Sequence, residues 1–477
     1  MGKSVKKTLV NGIVWNALEK IVVKSTAFII GVILARILSP SDYGLIGMLT
    51  FFIALSNVFI ESGFAKALIQ NQNCKDVDFS TAFITNISIS LIIYIILYIS
   101  APYIALFYEE PSLTLITRVM SINFVLGAFN IVHRAKLMAE VDFKSLAIIN
   151  FGGTIIGGGV GIAMAYMDYG VWALVSQTIT STIAMMFLFP FFTKWSPSLR
   201  FAKDSFNKLF NYGSKLLITG VVATIVNNLT TIFIGRFYKS EALGYYTRAT
   251  QYSDLAAYTI NDVFNTVTFP VLSSLQNDRD RLVQVYSRIL FYTALFTFPL
   301  MVLFALFAKP IVVIMLTEKW LPCVPLLQIL CIARMFTPIS SINMNLLNAV
   351  GRSDLFMKLD FYKIPYSLVA IFIAVPLGVE AVVWANLITT FVSFLVNGYL
   401  PGKMFGYGAL SQLRDWKYII LSVILMVLCV LLVESIIINL WLQLIVGFIV
   451  GLVFYMGCCF LFKQISINEI KSLLKRS

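Results

Sequence analysis

The candidate functional residues of this sequence are charged side chains that lie inside apolar stretches. Five cations share this placement: Lys20, Lys24, Arg118, Lys215 and Arg334. A charge at the centre of a bilayer costs about 2.5–3.5 kcal/mol on an insertion scale, so each cation needs an anionic partner or water. Lys20 and Lys24 lie four residues apart on one helical face, where like charges repel. The five cations therefore predict a cationic, water-filled cavity that holds an anionic group such as a pyrophosphate.

A structural role for the same cations stays open beside this hypothesis. They could instead snorkel to an interface or pair with carboxylates within the chain, for which the candidates are Glu19, Glu61, Asp254 and Asp262. Arg334 and Lys24 are the deepest of the five, and for them we favour the binding role. Arg36 and Arg236 lie at the outer ends of their apolar stretches, where an interface anchor is the better interpretation.

Two carboxylates in a polar helix form a second candidate site. Asp254 and Asp262 lie eight residues apart, and Asn261 and Asn265 accompany them. Eight residues turn a helix through little more than two full turns, so the two carboxylates share a face. Carboxylates beside amides could hold a coupling cation, and an interhelical hydrogen-bond network explains the pattern equally well.

Composition sets the class of protein. Of the 477 residues 59% are hydrophobic and 12% are charged, against about 25% charged in an average soluble domain. Such a chain predicts a polytopic membrane protein. Six cysteines form no CxxC pair, and His133, the single histidine, is interpreted as a solvated loop residue beside Arg134. We therefore expect no disulfide framework, no metal site, no cofactor and no enzymatic activity.

Apolar periodicity predicts an all-α fold with about fourteen transmembrane helices. The expected spans are 11–36, 43–64, 79–100, 112–136, 143–167, 170–192, 206–236, 242–272, 284–308, 323–349, 355–377, 379–400, 416–438 and 440–462. The spans 11–36 and 242–272 are only weakly apolar. The run after "MGKSVKK" has no small-residue cleavage pattern, so it is interpreted as the first helix and not as a signal peptide.

Charge asymmetry predicts the orientation. Net charge is +13, and 25 of the 36 Lys and Arg fall in the N-terminal arm, the tail, and every second connection with its adjoining helix ends. By the positive-inside rule these segments are cytoplasmic, and so are both termini. The basic excess is thereby explained without nucleic-acid binding.

A repeat divides the chain. Two pairs of similar motifs recur at an offset of about 200 residues. The first pair is "RILSPSDYG" (36–44) and "RFYKSEALG" (236–244), 200 residues apart, and the second is "GVWALVSQTITS" (170–181) and "GVEAVVWANLITT" (378–390). Six helices per repeat is an even number, so the two lobes are parallel and surround a central cavity. The predicted organisation is an N-lobe at 1–200, a C-lobe at 206–405, two further spans at 416–463 and a cytoplasmic tail at 464–477.

Four stretches carry a resemblance to a known family: "ARILSPSDYGLIGM", "RAKLMAEVDFKSLAII", "YGVWALV" and "LLNAVGRSDLFMKLD". They resemble the polysaccharide transporter family, Wzx-type and colanic-acid-type flippases, of the multidrug/oligosaccharidyl-lipid/polysaccharide exporter superfamily. The resemblance covers about residues 1 to 460. It implies a flippase of the bacterial inner membrane that moves undecaprenyl-pyrophosphate-linked oligosaccharide units for O-antigen, capsule or exopolysaccharide. It also implies membrane lipid and the polymerase and chain-length proteins of the pathway as partners.

Two alternatives remain. A cation-coupled drug antiporter of the same superfamily should prefer an acidic cavity, whereas the deep charges here are mixed. A membrane glycosyltransferase or polymerase of the same pathway should carry a large outward loop, and the outward connections here are short. No GxxxxGK[ST] motif occurs, so the driving force is expected to be a proton or sodium gradient, the membrane potential or removal of product.

Overall fold

The computed structural model describes residues 2–61, 68, 75–193, 195–198 and 200–464, with the side chains of 2–14, 16–20, 61, 208–209 and 211–216 left out. In these segments every regular element is helical. The α-helices are α1 Gly2–Ile37, α2 Pro40–Glu61, α3 Asp76–Tyr108, α4 Leu113–Ala139, α5 Phe143–Tyr166, α6 Val171–Thr193, α7 Lys203–Phe237, α8 Ser240–Ser274, α9 Arg279–Leu306, α10 Ala308–Leu316, α11 Cys323–Arg334, α12 Thr337–Ala349, α13 Ser353–Ala374, α14 Val379–Phe405, α15 Ala409–Asp415, α16 Lys417–Ile436 and α17 Leu440–Leu461. Short 3₁₀ turns cover Glu318–Trp320 and Val375–Leu377.

The predicted all-α polytopic fold is confirmed. Within the described segments, twelve stretches are long and apolar enough to cross a membrane, and α11 and α12 together form one of them. The other two long helices, α1 and α8, are the two segments that the sequence marks as weakly apolar. Twelve apolar spans and these two polar helices follow the predicted order, although the total of fourteen stays approximate.

The chain forms two compact units, Met1–Gly244 and Tyr245–Ser477. In the first unit a glycine row on α5 faces α6. A Cβ atom on Gly157 would lie 2.5 Å from the Gln177 carbonyl oxygen, and one on Gly153 would lie 2.6 Å from the Met185 side chain. Small residues four apart let two membrane helices approach closely. Dispersion attraction then stabilises the helix pair, because the hydrophobic effect does not act between helices in lipid.

The two copies of the repeated motif, at 36–44 and 236–244, contact each other within the first unit. A Cβ atom on Gly44 would overlap the carbonyl oxygen of Ser240, and one on Gly244 would overlap the carbonyl oxygen of Pro40. Ser41 Oγ and Ser240 Oγ lie 2.7 Å apart at the same place. The two turns therefore pack reciprocally, each glycine against the start of the other helix, as a local twofold relation between the copies requires.

In the second unit an aromatic cluster joins α9, α14 and the start of α16. The Trp416 ring lies 5.6 Å from the Phe298 ring and 5.9 Å from the Phe394 ring, and Trp416 is fully buried. Aromatic pairs at these spacings contribute about 0.5–1.5 kcal/mol beyond the area they bury. The short helix α15 is fixed beside this cluster, because Gln412 is buried and hydrogen-bonded to α9 and α12.

The two units are defined by contacts and the two lobes by a sequence repeat. The lobe boundaries 1–200 and 206–405 therefore stay a prediction.

Candidate functional site

An ion pair in the second unit brings together two of the residues that the sequence singled out. Arg334 Nε lies 2.5 Å from Asp254 Oδ1, and the two side chains are 16% and 24% exposed. Arg334 Nη1 also donates to Asn386 Oδ1 at 3.3 Å. Asp254 lies on α8, Arg334 on α11 and Asn386 on α14, so three helices meet at one guanidinium.

The local sequence explains why Arg334 occupies this place. It is the last residue of α11, and α12 begins at Thr337 with Pro338 in its first turn. Proline suits the first turn because its missing N–H would have no helical partner there. The tenth span is thus interrupted beside Arg334, and the last carbonyls of α11 favour a cation at that end.

A layer of amides continues the polar face of α8. Asn265 Oδ1 accepts hydrogen bonds from Asn345 Nδ2 at 2.7 Å and from Ser341 Oγ at 3.1 Å, both on α12. Asn261 Oδ1 is buried without a hydrogen-bond partner among the described residues. Asp262 is exposed. The face therefore holds one amide oxygen that accepts two hydrogen bonds, one amide oxygen with unused capacity and one exposed carboxylate.

The remaining predicted cations are distributed differently. Arg118 is half-exposed, with its guanidinium 4.4 Å from the Tyr98 ring centroid and its Nε donating to the Tyr98 carbonyl oxygen at 3.4 Å. Lys24 is exposed. The side chains of Lys20 and Lys215, and those of the proposed partners Glu19 and Glu61, lie outside the described part of the chain.

Arg236 has an ion pair of its own in the first unit. Its Nη1 lies 2.6 Å from Glu109 Oε1, in the acidic connection between α3 and α4. Its guanidinium is 5.7 Å from the Phe107 ring. Because the Glu109 side chain is 71% exposed, the pair contributes little stability.

The expectation that His133 is a solvated loop residue is wrong. His133 is 5% exposed within α4. Its Nδ1 lies 2.8 Å from Thr193 Oγ1, and its ring centroid lies 5.1 Å from that of Trp195. Burial follows because the end of α6 and Trp195 cover α4 there. Across the described residues, no three His, Cys, Asp or Glu side chains form a group that could hold a metal ion.

Sequence reasoning missed Asn386, Ser341 and Asn345 as members of the polar site. Each is an uncharged polar residue within an apolar span, and that exception to the local composition was the available signal. Asn386 even lies in the repeat motif "GVEAVVWANLITT". Which helices they face depends on tertiary packing that no spacing rule supplies.

The fold is that of a polytopic membrane protein, with a partly buried polar cluster around Arg334. A family model described as "Polysaccharide biosynthesis protein" matches residues 33–325, which is more than half of the chain. The chain belongs to this family.

Curated relatives agree with this placement, and a solved structure shares the fold. The chain is 26% identical over 400 residues to the teichuronic acid biosynthesis protein TuaB of Bacillus subtilis (strain 168), covering 83% of each chain. It is 21% identical over 363 residues to the lipopolysaccharide biosynthesis protein WzxC of Escherichia coli (strain K12), covering 76% of this chain and 74% of that one. Its fold matches the lipid II flippase MurJ in an inward closed conformation, with a TM-score of 0.77 at 17% identity, over 94% of this chain and 99% of that one.

Proposed function

We propose that the chain is a flippase of the bacterial inner membrane that moves a polyprenyl-pyrophosphate-linked oligosaccharide across the bilayer. The observation that carries the proposal is the family match over residues 33–325. The relatives are named for teichuronic acid and lipopolysaccharide biosynthesis, and the fold neighbour is named as a lipid II flippase. Both termini would be cytoplasmic, and no covalent step is required of the protein.

The physical task of such a protein is to shelter a headgroup. A pyrophosphate with attached sugars cannot cross hydrocarbon unaided, because every charge and hydroxyl would lose its hydration. We propose that the headgroup enters a polar cavity by alternating access while the polyprenyl tail stays in lipid. The exposed Lys24, together with Lys20, Arg118 and Lys215, would supply further positive charge along its path.

Arg334 is the proposed contact to the pyrophosphate. A guanidinium binds phosphate oxygens through two parallel donors. In the present structure Asp254 and Asn386 occupy those donors, so a phosphate would replace the carboxylate as the partner of Arg334. The ion pair would thus keep the cation stable in the unloaded protein, where an unpaired charge would be costly.

The same pair offers a route to energetic coupling. If Asp254 takes up a proton or a sodium ion, its attraction for Arg334 falls and the guanidinium becomes available to phosphate. Asp262 and Asn261, on the adjoining face of α8, would hold or relay that cation. The gradient that drives the cation would then favour loading of the headgroup.

The test is depletion of the protein in the organism that encodes it. In spheroplasts we expect the lipid-linked oligosaccharide to accumulate at the cytoplasmic face, where an added lectin reaches it only after permeabilisation, and in whole cells we expect surface polysaccharide to fall. A drug antiporter would instead give sensitivity to cationic drugs with normal polysaccharide. A glycosyltransferase or polymerase would give a shortened glycan or single units at the outer face, and either outcome would overturn the proposal.

A further inference from the structure

A polar cavity lies in the second unit, and Arg334 is not among its lining residues. Its volume is about 550 Å³. It is lined by residues of α9, of the turn before α15 and of the α15–α16 junction, and by Gln464, which follows α17. The polar side chains that line it include Arg288, Arg414, Lys417, Tyr407 and Gln464. These residues come from helix ends and connections that charge asymmetry places on the cytoplasmic side, with Arg288 in the first half of α9.

Three cations converge on this cavity against a single carboxylate. Among the described residues no carboxylate forms an ion pair with Arg288, Arg414 or Lys417. The one acidic residue of the lining, Asp415, accepts a hydrogen bond from Tyr407 Oη at 2.9 Å. Burial raises the pKa of Tyr407, so this hydroxyl keeps its proton and remains a donor. The cavity therefore carries an excess of positive charge.

Gln464 supplies an independent observation at the same place. Its Nε2 and Oε1 are both buried, and neither has a hydrogen-bond partner among the described residues. Leaving a buried amide without partners is costly. The acceptor oxygens of a phosphate would satisfy Nε2, and a hydroxyl or water beside the phosphate would satisfy Oε1.

The wall that carries two of the cations is held rigidly. Gln412 Nε2 donates to Asn343 Oδ1 at 3.1 Å, and Tyr286 Oη donates to the same oxygen at 2.7 Å. All three side chains are buried. The buried Gln412 and Trp416 therefore anchor the backbone that carries Arg414 on α15 and Lys417 at the start of α16, whereas the two cationic side chains are exposed. An anchored backbone loses less entropy on binding than a loose loop.

We propose that this cavity binds the phosphate head group of a lipid at the cytoplasmic face of the membrane. Basic pockets between helices at that depth suit anionic head groups, and the tyrosines of the rim, Tyr292 and Tyr418, suit the interface. Two lipids carry this chemistry, a bilayer phospholipid such as phosphatidylglycerol and the polyprenyl pyrophosphate of the proposed substrate. Arg334 does not line the site, and only its assignment to the polyprenyl pyrophosphate rests on the proposed function.

Cations placed only by the positive-inside rule would behave differently. They would contribute to lipid binding through net charge alone, wherever on that side they lie. A comparison between pocket cations and other cations of the same side therefore separates the two cases.

The experiment measures lipid binding to the purified full-length protein by native mass spectrometry. The probes are phosphatidylglycerol, undecaprenyl pyrophosphate and phosphatidylcholine. The pocket variant is Arg288→Gln/Arg414→Gln/Lys417→Gln, and the matched control, with the same loss of three charges, is Arg200→Gln/Arg281→Gln/Lys403→Gln. All six of these side chains are exposed.

We expect the pocket variant to lose at least about tenfold in affinity for one or both phosphate lipids, since each lost charge-assisted contact is worth about 1.5–3 kcal/mol. The control should lose less than about threefold. Loss for phosphatidylglycerol alone assigns the site to bilayer lipid, and loss for undecaprenyl pyrophosphate alone assigns it to the substrate. Equal losses in both variants, or none in the pocket variant, would overturn the proposal. If the triple variant does not fold, Arg414→Glu alone against Arg281→Glu gives the same comparison.

Discussion

Arg334 and Asp254 are bound to each other, with Nε 2.5 Å from Oδ1. The sequence assigned them to different tasks, the cation to a phosphate and the carboxylate to a coupling ion. Their contact makes these tasks interdependent, because whatever neutralises Asp254 changes what Arg334 can bind. It also means that a single substitution at either position leaves a partly buried charge without its partner.

The first prediction separates the two effects of removing Arg334. Arg334→Ala should abolish transport and cost about 1–3 kcal/mol of stability, because Asp254 loses its partner. Arg334→Lys should keep part of the transport, since an ammonium binds phosphate only as a point charge. Adding Asp254→Asn to Arg334→Ala should restore the thermal unfolding midpoint while transport stays absent.

The double variant is the decisive member of that series. If the double variant Arg334→Ala/Asp254→Asn transports like the parent, the pair is structural and the headgroup is held elsewhere. Lys24→Ala belongs in the same assay. Because Lys24 is exposed, its loss should lower transport without changing the unfolding midpoint.

The second prediction concerns coupling through α8. Asp254→Asn with Asp262→Asn removes both negative charges and keeps the shape of the side chains. In proteoliposomes this variant should transport without responding to an imposed proton or sodium gradient, whereas the parent should respond. Glu380→Gln is the control, because Glu380 is an exposed carboxylate of the same unit at the start of α14. A gradient response equal to that of the parent would remove these aspartates from the coupling.

The third prediction tests the reciprocal turn. Gly44→Ala should destabilise the protein by about 1–3 kcal/mol, because the new methyl group overlaps the Ser240 carbonyl. Gly159→Ala is the matched control, since a Cβ on Gly159 meets no atom within 4 Å. The control should be neutral or more stable by about 0.5–1 kcal/mol, the gain in helix propensity. Equal unfolding midpoints for the two variants in detergent would show that the turns do not pack as described.

Several features of the fold followed directly from the sequence. Hydrophobic content and periodicity gave the helices, and even the weak spans, α1 and α8, were recognised because their polar residues depart from the pattern. The doubled motif at 36–44 and 236–244 was visible as a repeat. That its two copies touch through Gly44 and Gly244 was not, because contact between distant segments depends on how the helices between them pack.

The candidate site could be predicted from the sequence only in part. Arg334 stood out because a buried cation is an exception, and Asp254 was one of four carboxylates proposed to pair with the buried cations. Choosing among the four required the three-dimensional arrangement. Asn386 was missed because one amide in an apolar span is a weak signal. His133 was misplaced because its neighbour Arg134 suggests solvent, whereas Trp195 and the end of α6 bury it.

The central claim is that this chain moves a lipid-linked glycan across a bilayer. The most direct measurement places undecaprenyl-pyrophosphate-linked oligosaccharide with a labelled sugar in proteoliposomes and follows how much of the label an external glycosidase can reach. We expect the parent protein to make inner-leaflet glycan accessible within minutes, whereas protein-free vesicles and the Arg334→Ala/Asp254→Asn variant should not. If folded parent protein leaves the inner-leaflet label as protected as protein-free vesicles do, with or without an imposed gradient, the flippase function is contradicted.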